Sequence, residues 1–470
     1  MTTYSRPRPG GLRRLADDVH SGVRSARDLV ELSHSRIRAD DVLNAVVAQR
    51  EDEARADADA IDRAIAQGKD PGPLSGLPLL VKDNEDVRGM RTTMGSRWYL
   101  DRPPADADSL IVRRLRRAGA IVVGKTNVPE FCIEGFTDNL VAGATSNPWN
   151  PSRSPGGSSG GSAAALAAGL AAIATGSDGG GSVRIPAAFC GLLGYKPTNG
   201  VIGQEAAPDW IDFSTPGLLG TSVDDLRLLL DVVAGPVAGD PTALPVALPP
   251  AGLPTRLIVA ERTDDLGDLP PEVAEAFHQA VDRLARLLDV PVAHRAPGSF
   301  FPGWRPDEDW FVLAAPEHAS ALGRERIEQG ADLLYPTSRE FLLAGLAVSN
   351  DAYLAARRRR FDAVACLDRI LDGTAALVTP TVAAAGWTLD GCRGDEPPGL
   401  LGPDVYSTAI QNLTGLPAIS LPDRPLPDGM PFGLQVTMPR WTDRGLLELA
   451  SLWEARHPWP RTATGYPEFL

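Results

Sequence analysis

Residues 147–191 read NPWNPSRSPGGSSGGSAAALAAGLAAIATGSDGGGSVRIPAAFCG. From Asn147 to Gly161 the chain carries three prolines and four glycines, which exclude a regular helix or strand there. Ser162–Ala174 reads as a helix of small residues, whose thin side chains permit close packing. Gly176–Ser182 reads as a second glycine-rich loop. Two Ser/Gly loops thus flank one helix, with Ser158 in the first and Ser182 in the second, 24 residues apart.

Upstream, Leu77–Val81 is a short apolar strand that ends at Lys82. Ser25 and Asp28 form a capping-box pattern, and Leu29, Leu32 and Ile37 follow at helical spacing. An acidic helix over Glu51–Gln67 is stopped by Pro71, Gly72 and Pro73. A helix over Ile111–Arg117 precedes a strand over Ala120–Val123. Downstream, Gly235–Pro254 reads as a connector. Val273, Phe277, Val281, Leu284 and Leu288 mark an amphipathic helix. Residues 300–345 carry aromatics but no clear motif, and Ala375–Val378 and Ile419–Leu421 read as buried strands. Alternating helices and strands argue for an α/β layered fold.

Two familiar patterns match by letter and fail by context. Gly119–Thr126 fits the phosphate-loop pattern, but Ala120, Ile121, Val122 and Val123 between its glycines prefer a strand. Gly156–Gly160 fits the nucleophile-elbow pattern, which needs a strand directly before it. Asn150–Pro155 cannot supply one. Histidines at 278, 294, 318 and 457 could complete a triad there, yet none has a distinctive context.

The chain has 470 residues, 43% hydrophobic and 23% charged, with a net charge of −14. At about 150 residues per domain the length alone would give roughly three domains, a figure that large α/β enzymes exceed. The acidic balance disfavours nucleic acid and anionic membrane surfaces as partners. Four cysteines, Cys132, Cys190, Cys366 and Cys392, lie far apart and form no CxxC pair for a metal or a redox couple. Met1–Arg14 shows no apolar core of a signal peptide. The longest near-apolar run, Ser162–Gly176, is shorter than the roughly 20 residues a bilayer span needs. A cytoplasmic location is the expectation.

The combination of GLPLLVKDN at 76–84, GKTNVPEF at 124–131, the two loops above and GLPAISLP at 415–422 resembles the amidase signature family of serine hydrolases. The resemblance covers about residues 10–235 and 345 to the C-terminus. It implies one domain over 1–470: an α/β/α sandwich around a large mixed sheet, with 236–345 as a variable helical lobe over the site. It implies a Ser–cis-Ser–Lys triad, in which Ser182 is the nucleophile, Ser158 the bridging serine after a cis peptide bond, and Lys82 the base. Gly179, Gly180, Gly181 and Ser182 fall on the oxyanion hole, and Cys132 and Ile133 on the acyl pocket. Trp210, with Asp209 and Phe213, lies in an aromatic stretch that is a further substrate-contact candidate. Asp178 and Arg184 flank the nucleophile loop, either as braces or as a buried structural pair. Cys190 reads as a small packed residue. One departure stands out: the family often has threonine on both sides of its aspartate, where this chain has Ser177 and Gly179.

The chemistry needs these residue types. Serine is weakly nucleophilic at neutral pH and requires a neighbouring base. Lysine serves as one only when neutral, and burial lowers its pKa. Glycines without Cβ atoms let backbone N–H groups converge on a developing oxyanion. The expected reaction is hydrolysis of the C–N bond of a small carboxylic amide, or a related hydrazide or ester, through an acyl-serine. No cofactor or metal is expected. The expected partner is the small-molecule substrate, with homodimerisation open. Two rivals stand beside this: the glutaminase subunit of a tRNA-dependent amidotransferase, and a non-enzymatic binding protein on the same scaffold.

Overall fold

The computed structural model describes residues 11–245, 247–392 and 406–469. Most of the basic N-terminal segment, residues 1–10, lies outside them. Eleven strands form one sheet: β1 Val46–Gln49, β2 Pro78–Lys82, β3 Ile121–Thr126, β4 Ile173–Asp178, β5 Leu193–Lys196, β6 Thr215–Gly220, β7 Arg256–Val259, β8 Val292–His294, β9 Ala375–Pro380, β10 Ala418–Pro422 and β11 Gly433–Thr437. Their order is β1-β3-β2-β4-β6-β5-β10-β11-β9-β7-β8. Parallel pairs (β3-β2-β4 and β9-β7-β8) sit towards the two ends, and antiparallel pairs join them through the middle. The sheet is therefore mixed.

Helices cover both faces. Along β7 and β9, Leu257, Val259, Ala376 and Val378 belong to one hydrophobic cluster, while Ile258, Ala375 and Leu377 belong to another. Side chains alternate across a strand, so the two clusters occupy opposite faces. The first also holds Leu29, Leu166, Leu226, Phe277 and Trp453. The second gathers Trp310, Phe341, Leu367 and Leu413. The architecture is the α/β/α sandwich around a large mixed sheet.

The capping box is present: Ser25 accepts the Asp28 N–H, and the Asp28 side chain accepts the Ser25 N–H. Gly119–Thr126 is strand and entry turn. Its Lys125 is buried against Asp83 at 2.7 Å and donates to Thr92 Oγ1 at 2.8 Å, away from any phosphate cradle. The Ser/Gly segment differs from expectation. Its helix spans Gly160–Ala167, not 162–174, and β4 begins at Ile173. Gly169, at φ 62°, breaks the run, and Ile173 and Ala174 pair with Leu79 and Leu80 of β2. The second glycine loop therefore shortens to Gly179–Gly181, and a further helix, Arg184–Cys190, follows it. Residues 236–345, expected as a helical lobe, also contribute β7 and β8 to the sheet. Their helices include Pro271–Leu288, Pro306–Leu322 and Arg324–Gly330.

Candidate active site

Lys82 is the last residue of β2, between β3 and β4, so its side chain rises from the sheet interior. The Lys82 backbone N–H donates to Thr175 Oγ1 at 2.8 Å. Its Nζ is fully buried and donates to Ser158 Oγ at 2.8 Å and Ser177 Oγ at 2.9 Å. Burial pushes the Lys82 pKa down; nearby Cys132, Glu85 and Asp178 oppose the shift without reversing it. A buried amine with two hydroxyl neighbours and no carboxylate in hydrogen-bond contact is suited to being neutral.

Ser158 follows a cis Gly157–Ser158 peptide bond and sits at the entrance to the helix Gly160–Ala167. The next residue ties the two loops together, since the Ser159 N–H donates to the Ser182 carbonyl at 3.1 Å. Ser182 closes the glycine loop and is 8% exposed.

That loop is held from three sides. Asp178 Oδ1 accepts the Gly181 N–H at 2.8 Å, and Oδ2 accepts the Val183 N–H at 3.2 Å. Trp310 Nε1 donates to the Gly179 carbonyl at 2.9 Å, and Thr408 Oγ1 to the Gly180 carbonyl at 2.7 Å. Peptide planes are trans and rigid, so anchoring the Gly179 carbonyl turns the Gly180 N–H the opposite way. Gly181 has φ 125°, and a Cβ there would lie 2.7 Å from Thr408 Cβ, so no other residue fits that turn. Of the four expected oxyanion positions, Gly181 differs from expectation: Asp178 engages its N–H because the loop folds back over that carboxylate.

Asp178 and Arg184 form a fully buried pair at 2.8 Å. Arg184 also donates to Gln411, Gln435 and Asn412. Burial alone would raise the Asp178 pKa, but the Arg184 charge and hydrogen bonds outweigh it and hold it at about 2. The pair acts as a brace below the loop.

A cavity of about 440 Å³ opens on Ser158 and Ser182 and is walled by Phe131, Cys132, Trp210 and His318. A larger one, about 610 Å³, lies elsewhere, against Asp264, Asp309 and Arg359, and touches none of the serine loops. Chemistry, not size, selects the smaller. Cys132 thus lies in the wall, and burial pushes its thiol pKa up, which keeps it a neutral thiol. Ile133 does not line the cavity; it packs in the hydrophobic cluster behind it. The backbone reverses at Phe131 and Cys132, with φ of 53° and 60°, and carries Ile133 out of the wall. Phe213 is buried behind Trp210, with the rings stacked at 6.3 Å. Cys190 is packed, its thiol directed at the Pro155 carbonyl. His278 is a surface residue paired with Glu261.

Sequence reasoning weighed His318 only as a triad histidine without distinctive context, and did not single out Trp310. Both lie on the helix Pro306–Leu322, in the stretch without a motif, and the signal there was only a run of aromatics. It also passed over Ser177, read as a mere departure, which accepts a hydrogen bond from Lys82.

An α/β sandwich that sets two serines in one cavity, one of them backed by a buried lysine, is the build of a hydrolase. Comparison with known proteins gives the family. The Amidase family model matches residues 28–447. A putative amidase AmiB2 of Mycobacterium bovis is 37% identical, over 95% of this chain and 95% of its own length. A glutamyl-tRNA(Gln) amidotransferase subunit of Synechococcus sp. strain RCC307 is 34% identical, over 93% of this chain and 96% of its own. The crystal structure of a bacterial aryl acylamidase of the amidase signature family superposes with a TM-score of 0.84 at 26% identity, covering 94% of this chain and 95% of that one. The chain belongs to the amidase family and is a hydrolase of carbon–nitrogen bonds. Among the described residues no helix is long and apolar enough to cross a membrane, and no cluster of three metal-ligating side chains occurs.

Proposed function

We propose that the protein hydrolyses a small, uncharged carboxylic amide through an acyl-enzyme on Ser182. The observation that carries this is the 2.8 Å contact between the buried Lys82 Nζ and Ser158 Oγ, behind the cavity that Ser158 and Ser182 line. Ser182 Oγ attacks the carbonyl carbon and gives its proton to Ser158, whose own proton passes to the neutral Lys82. The oxyanion is received by backbone N–H groups at Gly179, Gly180 and Ser182. As the C–N bond breaks, the relay runs backwards and protonates the leaving nitrogen. Water then attacks the acyl-serine by the same route and releases the acid. Each well-placed oxyanion donor lowers the barrier by about 3–4 kcal/mol. Residues 236–345 act as the lobe that closes the site, reaching it through Trp310 and His318.

The test is direct. Ser182→Ala should abolish turnover, and a sulfonyl fluoride should label Ser182 in wild-type protein. Ser158→Ala should slow acylation by several orders of magnitude; near-normal hydrolysis would refute the relay.

A second reading, the glutaminase subunit of a tRNA-dependent amidotransferase, is favoured by the relatives named as amidotransferase subunits. Glutamine brings a carboxylate that needs a cation. Arg114, in the cavity wall, already donates to the carbonyls of Val233, Gly235 and Pro236. Hydrolysis of simple amides by the isolated chain separates the two readings; a requirement for glutamine with a second subunit would favour the other.

A further inference from the structure

The wall of the cavity facing the lobe contains polar atoms that the protein leaves without partners. His318 is 2% exposed, and neither ring nitrogen makes a hydrogen bond. Trp210 is 7% exposed, and its indole N–H is buried without an acceptor. Both side chains line the cavity that contains Ser158 and Ser182. Orphaned buried polar groups cost stability and call for an explanation such as a ligand.

The surroundings say what that ligand is. The His318 ring packs directly against Trp210 and Phe131, with centroids 6.1 and 5.7 Å away and both tilted, so the three rings form one continuous aromatic wall of the cavity. A planar ring laid in the slot along that wall gains the same edge-to-face and offset contacts. Trp210 Nε1–H is a donor only and must meet an acceptor. Burial pushes the His318 pKa down, against the pull of Asp209, so the imidazole is neutral. Asp209 Oδ2 stands 3.9 Å from Nδ1, too far for a direct bond but close enough to favour the proton on that nitrogen. Nε2 is then left as an acceptor. The slot along this wall thus offers one donor and one acceptor beside aromatic rings. An anionic ring would meet the negative charge of Asp209, and a cationic one would leave the indole N–H unmet.

We infer that Trp210 and His318 are specificity residues that select amides carrying a planar aromatic ring with an uncharged group able both to accept and to donate a hydrogen bond, a phenolic hydroxyl being the simplest. This rests on the amidase reading above and narrows its substrate. The ring belongs to either the acyl or the amine part, and the test separates the two.

Two series are compared by kcat/KM: benzamide, 3- and 4-hydroxybenzamide, 4-fluorobenzamide and cyclohexanecarboxamide for the acyl part; acetanilide with its 3- and 4-hydroxy analogues for the amine part. In one series the better hydroxylated substrate should exceed the unsubstituted ring by about tenfold or more, as expected where a site's buried polar groups are otherwise unpaired. The fluoro analogue should gain nothing. Trp210→Phe and His318→Phe, which keep a ring but remove the polar atoms, should each shrink that ratio, chiefly through KM. Unchanged ratios in both variants, or a preference for a charged ring such as 4-carboxybenzamide, would overturn the inference. The same amides are titrated calorimetrically onto Ser182→Ala protein, which reads the slot without turnover. If wild-type protein hydrolyses none of them, the reading of a small uncharged amide as substrate fails; if Ser182→Ala binds hydroxylated and plain rings alike, the slot reading fails, whichever way turnover goes.

Discussion

The indole of Trp210 fills the space that a side chain at residue 179 would need: a Cβ on Gly179 would lie 2.5 Å from Trp210 Cζ3 and closer still to Cε3. The departure from threonine at this position is thus matched by an aromatic ring that closes one wall of the cavity. Gly179→Ala should push the ring away and shift the glycine loop, at a cost of about 1–3 kcal/mol, as overpacking does. In a Trp210→Ala background the same substitution should cost much less. Thermal unfolding of the four proteins measures the coupling; strict additivity would show that ring and glycine are independent.

Asp178 holds the loop through two N–H groups and Arg184 at once. Asp178→Asn should destabilise the protein by about 3–5 kcal/mol, because it leaves the Arg184 charge buried and unpaired. The sign with pH follows from a pKa depressed to about 2. The carboxylate stabilises the fold fully above its unfolded value near 4, and that contribution is lost as pH falls from 4 towards 2. Urea unfolding between pH 5 and 2.5 should show a steeper decline for wild type than for the variant.

The sequence made the serine loops readable because their chemistry is local: each loop's glycines, prolines and serine are neighbours in the chain. Lys82 was readable for the same reason, as the end of one apolar strand. The strand β4 was not, because an Ala/Gly run reads equally well as helix until Gly169 breaks it, and only pairing with β2 and β6 makes Ile173–Asp178 extended. Alternating elements give an α/β class but not the order of eleven strands, which long-range pairing decides. His318 and Trp310 reach the site from 136 and 128 residues beyond Ser182, on a helix whose own sequence carries no sign of which face meets the cavity.

Glu134 lies just past the GKTNVPEF motif, 2% exposed, with Oε1 unpaired. Burial raises its pKa to about 7, Thr337 opposing. The folded state therefore holds the proton longer than the unfolded chain. Between pH 4.5 and 7 stability should fall as pH rises, by roughly 2–3 kcal/mol in all at about 1.4 kcal/mol per pKa unit. Glu134→Gln, which keeps the neutral shape, should flatten this slope and be the more stable protein at pH 8. A variant with the wild-type slope in chemical unfolding would place the titration elsewhere.

Lys82 is the group on which the chemistry turns. Its pKa is lowered by burial, so the ammonium appears as pH falls and cannot then take the proton relayed from Ser182. The acid limb of kcat/KM should report this ionisation in the free enzyme, with activity rising towards neutral and alkaline pH. His318 is the rival source of such a limb, because it lines the same cavity and its pKa is also lowered by burial. The two are separable. His318→Phe should alter substrate preference and leave the limb in place. Lys82→Ala should remove most amide hydrolysis, by about 10²–10⁴-fold, and weaken hydrolysis of a matched phenyl ester less, since phenoxide leaves without needing the returned proton. A buried lysine kept neutral is also a burden on the fold: the unfolded chain binds its proton up to a pKa near 10.4, so stability at pH 7 lies below that at alkaline pH. Lys82→Met should therefore be inactive on amides yet unfold at a higher temperature at pH 7 than wild type. If His318→Phe removed the acid limb and Lys82→Ala did not, the base would be the imidazole and the Ser182–Ser158–Lys82 relay would fall.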